Sequence, residues 1–204
     1  MRDSVDERKR TTLRRFAALG AATPFVGVAS GASEDDSRSE VPAAIRGYLS
    51  TTPGAHFSKL RDDLKLGTGE TQHHLRALVD AGEVDSRRDG EYRRFFPAEQ
   101  FSEFEQATLG YLRRETPRKL LIELLESPAE TGSALADRLD VSRATVSNYA
   151  GELEAAGLLD RSEQYTVDNP ETVLTLLVRY ADSFGPDAVT FAAAADELIR
   201  VDRS

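Results

Sequence analysis

Residues 54–84, GAHFSKLRDDLKLGTGETQHHLRALVDAGEV, and residues 129–159, AETGSALADRLDVSRATVSNYAGELEAAGLL, are two versions of one pattern at a constant offset of 75. Leu60, Leu64, Leu66, Leu78, Ala81, Gly82 and Val84 fall on Leu135, Leu139, Val141, Leu153, Ala156, Gly157 and Leu159. Each copy reads as a short helix, a tight turn, a longer helix, a glycine and an extended segment. That order is a helix-turn-helix followed by a wing, an arrangement that docks its second helix against a DNA major groove. The expected fold is mainly α with small β-hairpin wings: two tandem winged helix-turn-helix domains plus C-terminal helices.

In the first copy, residues 41–51 place Val41, Ala44, Ile45, Tyr48 and Leu49 on one helix face, with Pro42 near the start. Thr52-Pro53-Gly54 stops that helix, and residues 56–65 form the next with Phe57, Leu60 and Leu64 inward. Gly67-Thr68-Gly69 makes the turn, with Thr68 as the expected cap of the third helix. Thr71, His74, Leu75 and Leu78 then face the core, and Gly69, Glu70, Gln72, His73 and Arg76 face out. Glutamine pairs bidentately with adenine and arginine with guanine, so Gln72 and Arg76 are the expected base readers, flanked by Thr68 and His73. An ordinary solvated helix face is the alternative at each position.

The stretch after Gly82 alternates toward a hairpin, with Asp89-Gly90 as its turn. Arg87, Arg88, Arg93 and Arg94 concentrate positive charge on it, suited to phosphates or a narrow minor groove. In the second copy, residues 131–139 are the positional helix and Ser142 the cap of the reading helix. Val146, Ala150 and Leu153 point inward, leaving Arg143, Thr145, Ser147 and Asn148 as DNA-contact candidates. The wing at 160–165 is short and not basic, so protein contact or simple packing is an equal reading for this copy.

The organisation expected is a leader at 1–40, a first winged helix at 41–97, a linker helix at 98–115, a second winged helix at 116–167 and C-terminal helices at 168–204. The linker carries Phe101, Phe104, Ala107, Thr108, Tyr111 and Leu112 at helical spacing, a packing stripe expected to cement the two domains. The C-terminal helices have small-residue-rich apolar faces. These fit a two-fold dimer matching a palindromic operator, or docking within the chain.

The 204 residues include 35 acidic and 26 basic side chains, for a formal net charge of −9. Only Lys9, Lys59, Lys65 and Lys119 are lysine. Such an acidic, lysine-poor surface fits a protein working in molar salt, where the Debye length is about 3 Å and self-repulsion is screened. The net charge alone disfavours DNA, but the counterion-release advantage of a basic face has already shrunk there. With no cysteine, disulfides, thiolate metal sites and cysteine nucleophiles are excluded. His73 and His74 point about 100° apart on a helix and cannot share one ion unaided. No phosphate-cradling loop, nucleophile elbow or carboxylate pair stands out, so neither enzyme nor cofactor is expected.

Residues 1–15 are polar and basic, 16–33 uncharged and 34–40 acidic and serine-rich. The layout resembles a secretory signal, and Lys9-Arg10-Thr11-Thr12-Leu13-Arg14 resembles a twin-arginine signal. Lys9 stands there for the first arginine and Thr12 for the usual phenylalanine. The apolar stretch falls short of the roughly 20 residues that a membrane span requires. The expectation is a cytoplasmic protein whose leader adds nothing to the core. The alternative is a membrane-associated or exported protein-interaction module, touching the membrane through residues 14–33.

The segments Pro53-Gly54-Ala55-His56-Phe57, residues 66–75 and Arg94-Phe95-Phe96-Pro97, with 116–121 and 139–147 in the second copy, resemble archaeal tandem winged-helix transcriptional regulators, related broadly to the ArsR and MarR families. The resemblance covers about residues 41–184 and implies a regulator that binds double-stranded DNA. In such turns a serine is usual where Gly67 stands, and a valine where Thr71 stands. The first reading helix is therefore expected to be weakly capped and packed.

Overall fold

The computed structural model describes residues 3–20, 34–128 and 130–201, divided into one compact unit over residues 1–101 and a second over 102–204. The stretch 21–33, which holds most of the expected apolar leader segment, lies outside the described residues. Among those described, no helix is long and apolar enough to cross a membrane.

The first unit runs α1 (Asp3–Gly20), α2 (Glu34–Thr51), β1 (Ala55–His56), α3 (Phe57–Leu64), α4 (Thr68–Asp80), β2 (Val84–Asp89) and β3 (Tyr92–Pro97). Its sheet has the order β1-β3-β2, antiparallel throughout. The expected apolar periodicities fill one core: Ala44, Ile45, Leu49, Leu60 and Leu64 are fully buried, closed by Leu75, Leu78, Val84 and Phe95. Gly90 takes φ +59° at the hairpin tip, a conformation glycine adopts without Cβ strain. The helix expected to begin near Val41 starts at Glu34, so Pro42 removes a donor within it instead of opening it.

The leader expected to stand apart from the core is corrected by α1. Leu13 is only 2% exposed within the core cluster, and Phe16 sets its ring edge-on against Tyr48 at 5.4 Å. A helix whose apolar residues fall at positions 13 and 16 presents one stripe, and α2 and α3 offer the complementary face.

The second unit comprises α5 (Glu103–Leu112), α6 (Glu115–Glu126), α7 (Gly132–Leu139), α8 (Arg143–Ala155), β4 (Leu159–Asp160), β5 (Thr166–Val167), α9 (Pro170–Arg179), α10 (Ala181–Phe184) and α11 (Pro186–Val201). Ser102 caps α5 reciprocally with Glu105, and Thr108, Leu109 and Leu112 bury against α6 and α9. The helix read as a linker is thus an integral layer of this unit. Leu120, Leu121, Leu135, Val146, Ala150 and Leu153 make the central core.

The C-terminal helices dock within the chain: Val173, Leu177, Ala188 and Phe191 are buried, while Val178 and Val189 remain exposed. Arg118 clamps them. Its guanidinium is 5% exposed, donates to both Asp187 oxygens at 2.8 and 2.9 Å, and donates to the Leu112 carbonyl at 3.0 Å. Asp187 lies in the first turn of α11, where a carboxylate is also favoured by the helix dipole. Its burial works against ionisation, but the Arg118 hydrogen bond and charge outweigh this and hold its carboxyl below the ordinary value.

Candidate nucleic-acid interface

The helix expected to read DNA in the first unit is α4. Thr71, at 0% exposure, Leu75 and Leu78 anchor it to the core, and its outward face shows Thr68, Gly69, Gln72, His73 and Arg76 to solvent. Thr71 fits where an apolar residue is usual because its hydroxyl donates to the Gly67 carbonyl at 2.8 Å and is not left unpaired. The expected cap is corrected: Gly67 is the N-cap and Thr68 the first helical residue. Without a side chain at the cap, Glu70 supplies the contact in reverse, accepting from the Gly67 N–H at 3.2 Å. Glu70 also accepts twice from the Lys9 ammonium of α1, at 3.1 and 2.9 Å. Burial would raise the Glu70 pKa, but the bonds from Lys9 and Gly67 outweigh it, and the carboxyl sits below its ordinary value.

Across the groove from α4, the hairpin pairs Arg88 with Arg93 and Arg87 with Arg94 directly across the strands. Like charges in directly opposed positions destabilise a sheet, and such a pair is relieved by a bound anion. Arg88 and Arg93 are exposed, with Arg93 donating to Ser86 Oγ at 3.0 and 2.7 Å. Arg87 is half-buried. Arg94 departs from its expected role as a phosphate contact: its side chain is 4% exposed, ion-paired with Asp89, and donates to the Gly54 carbonyl at 3.1 Å. Arg94 shares a strand face with Phe96 and Arg93 shares one with Phe95, and both phenylalanines are buried, so strand alternation alone does not tell the two arginines apart. Gln72, Arg76 and Arg93 rim a groove of about 670 Å³ over Leu75, Val79 and Phe95. Arg76 is 83% exposed, with Asp80 one turn on at 3.8 Å.

The three histidines are apart from any metal cluster among the described residues. His56 is a helix cap, its Nδ1 accepting from the Lys59 N–H at 3.3 Å. His73 and His74 meet edge-on at 5.1 Å; burial and the charge of His73 lower the His74 pKa against the pull of Glu70.

In the second unit, α8 shows Arg143, Ser147 and Asn148 to solvent and half-buries Thr145. Ser142 caps it, accepting from the Thr145 N–H at 3.0 Å. Its wing is a two-residue ladder, Leu159 with Val167 and Asp160 with Thr166, and its arginine, Arg161, is ion-paired with Glu154. The two wings are therefore unequal in available charge. Sequence reading missed Lys9 and the docking of α1, because the basic and apolar residues of 8–19 also satisfy the layout of an export signal.

Residues 39–109 match a family described as an N-terminal HTH domain, and residues 117–168 match one described as an HTH domain. Each half of the chain carries a helix-turn-helix domain. A relative from Methanocaldococcus jannaschii, described as an uncharacterized HTH-type transcriptional regulator, is 28% identical over 120 residues. That alignment covers 59% of this chain and 30% of the relative, so the chain spans less than a third of its length there. These likenesses support the helix-turn-helix reading of both units.

Proposed function

We propose that this protein is a sequence-specific, DNA-binding transcription regulator of the archaeal tandem winged-helix type, in the broad ArsR and MarR group. Helix α4 enters a major groove, and the hairpin rests on the flanking backbone. The observation that carries this reading is the opposed pair Arg88 and Arg93, held exposed beside the polar face of α4 in an otherwise acidic chain. Gln72 and Arg76 read bases, Thr68 and His73 flank them, and Arg87 adds to the field at the backbone. Arg143, Thr145, Ser147 and Asn148 form the weaker, second reading face. The protein acts in the cytoplasm as a two-fold dimer on a pseudo-palindromic site.

Selection of genomic fragments by the full chain, followed by anisotropy titrations across salt concentrations, tests this. Gln72→Ala or Arg76→Ala is expected to cost about 1–3 kcal/mol on the preferred site and to relax discrimination at one position. Failure of the folded protein to enrich or bind any duplex at any salt concentration refutes the reading.

A further inference from the structure

Residues 8–15 carry five basic side chains, Arg8, Lys9, Arg10, Arg14 and Arg15, and no acidic one, in a chain with net charge −9. The domain families match from residue 39 onward, so this run lies outside both. It sits on α1, whose inner stripe is spent within the protein on Leu13 and Phe16. That docking brings Lys9 onto Glu70, the third residue of the reading helix, through two hydrogen bonds. Arg10 follows immediately and is exposed; Arg14, one turn on along the same flank, is 72% exposed with Glu40 at 3.6 Å.

The amino end of a helix carries about half a positive charge and favours phosphate there. An uncompensated carboxylate at its third residue works against that. Lys9 cancels it. We propose that α1 is a third element of the duplex-binding surface: Lys9 neutralises Glu70 at the amino end of the reading helix, and Arg10 takes a backbone phosphate of the same duplex. This rests on the assignment of α4 as a DNA reader. Basic helices also bind anionic lipid, by charge and, more firmly, by inserting an apolar face. In α1, Leu13 is buried and Phe16 partly buried against the first unit, and Leu19 at 47% is its exposed large apolar side chain among the described residues, too little to insert, which favours the nucleic acid.

The test uses the full chain and duplexes enriched by it, titrated at several salt concentrations, with urea unfolding as the control for folding. Arg10→Ala is expected to weaken every duplex alike and to flatten the plot of log K against log salt by about 0.9. Lys9→Ala is expected to weaken binding about 2- to 5-fold, the scale of one exposed charge pair. Adding Glu70→Gln to Lys9→Ala should restore most of that loss, because the carboxylate it exposed is gone. Should the wild-type chain bind duplexes while Arg10→Ala and Lys9→Ala match it in affinity and salt slope, the inference is overturned and the role of α4 stands. A wild-type chain that binds no duplex overturns both. Vesicles of equal parts phosphatidylglycerol and phosphatidylcholine form the last arm. If Arg10→Ala abolishes vesicle binding and spares DNA binding, the basic run belongs to a lipid surface and the proposal fails.

Discussion

Replacing Arg94 with alanine separates two kinds of arginine on one hairpin. The guanidinium is 4% exposed, and its loss takes an ion-pair partner from the Asp89 carboxylate, itself 15% exposed, and removes a donor from the Gly54 carbonyl. Breaking a buried pair from one side costs about 3–5 kcal/mol. Asp89 lies at the hairpin end and keeps some water, so the lower figure, about 3 kcal/mol, is expected. At a urea slope of about 1.5 kcal/mol/M, the midpoint for the first unit should fall by about 2 M. Arg88→Ala and Arg93→Ala act on exposed side chains and relieve a like-charge pair, so their stability should stay within about 0.5 kcal/mol of wild type. In DNA titrations the order inverts. Each exposed arginine removed should lower the salt slope by about 0.9, whereas folded Arg94→Ala should keep the wild-type slope. An Arg94→Ala protein with an unchanged urea midpoint and a reduced salt slope would show that Arg94 faces phosphate, and would refute the division drawn here.

Arg118→Ala should destabilise the second unit by about 3–5 kcal/mol, since Asp187 loses both its hydrogen bonds to the guanidinium, and urea unfolding reads this directly. Gly185→Ala should loosen the same clamp, because the new Cβ would lie 3.0 Å from Asp187 Oδ1 and 3.1 Å from an Arg118 nitrogen; wild-type stability would contradict that. Ser142→Ala removes the cap of α8 and should cost about 1 kcal/mol, visible as a lower urea midpoint without loss of folding. Glu70 has a folded pKa below its ordinary 4.5, so the stability it contributes is present above that value and is lost as pH falls through the lowered folded value. Acid titration of stability should therefore be shallower in Glu70→Gln than in wild type below about pH 4.5; parallel curves would contradict the pairing with Lys9.

Much of the fold is local. The repeat at an offset of 75, the glycine after each reading helix and the Asp89-Gly90 turn are short-range signals, and the helices and hairpins form where these place them. The outward faces of α4 and α8 follow from a helical period of 3.6 residues, which is why Gln72, His73, Arg76, Arg143, Ser147 and Asn148 emerge at the surface as read. The cap of α4 was less legible, because Gly67 offers no side chain and the contact comes backwards from Glu70.

By itself, then, the chain determined two helix-turn-helix units and the polarity of their reading faces, because periodicity and turn chemistry act over a few residues. Only the tertiary structure decided which charges are available at those faces. Arg94 is consumed by Asp89, Arg161 by Glu154, and Lys9 comes from 61 residues away to Glu70. Charge pairing depends on distances of a few ångströms between segments that sequence separation does not fix, so four neighbouring arginines that look alike in the chain take different roles once the hairpin is packed.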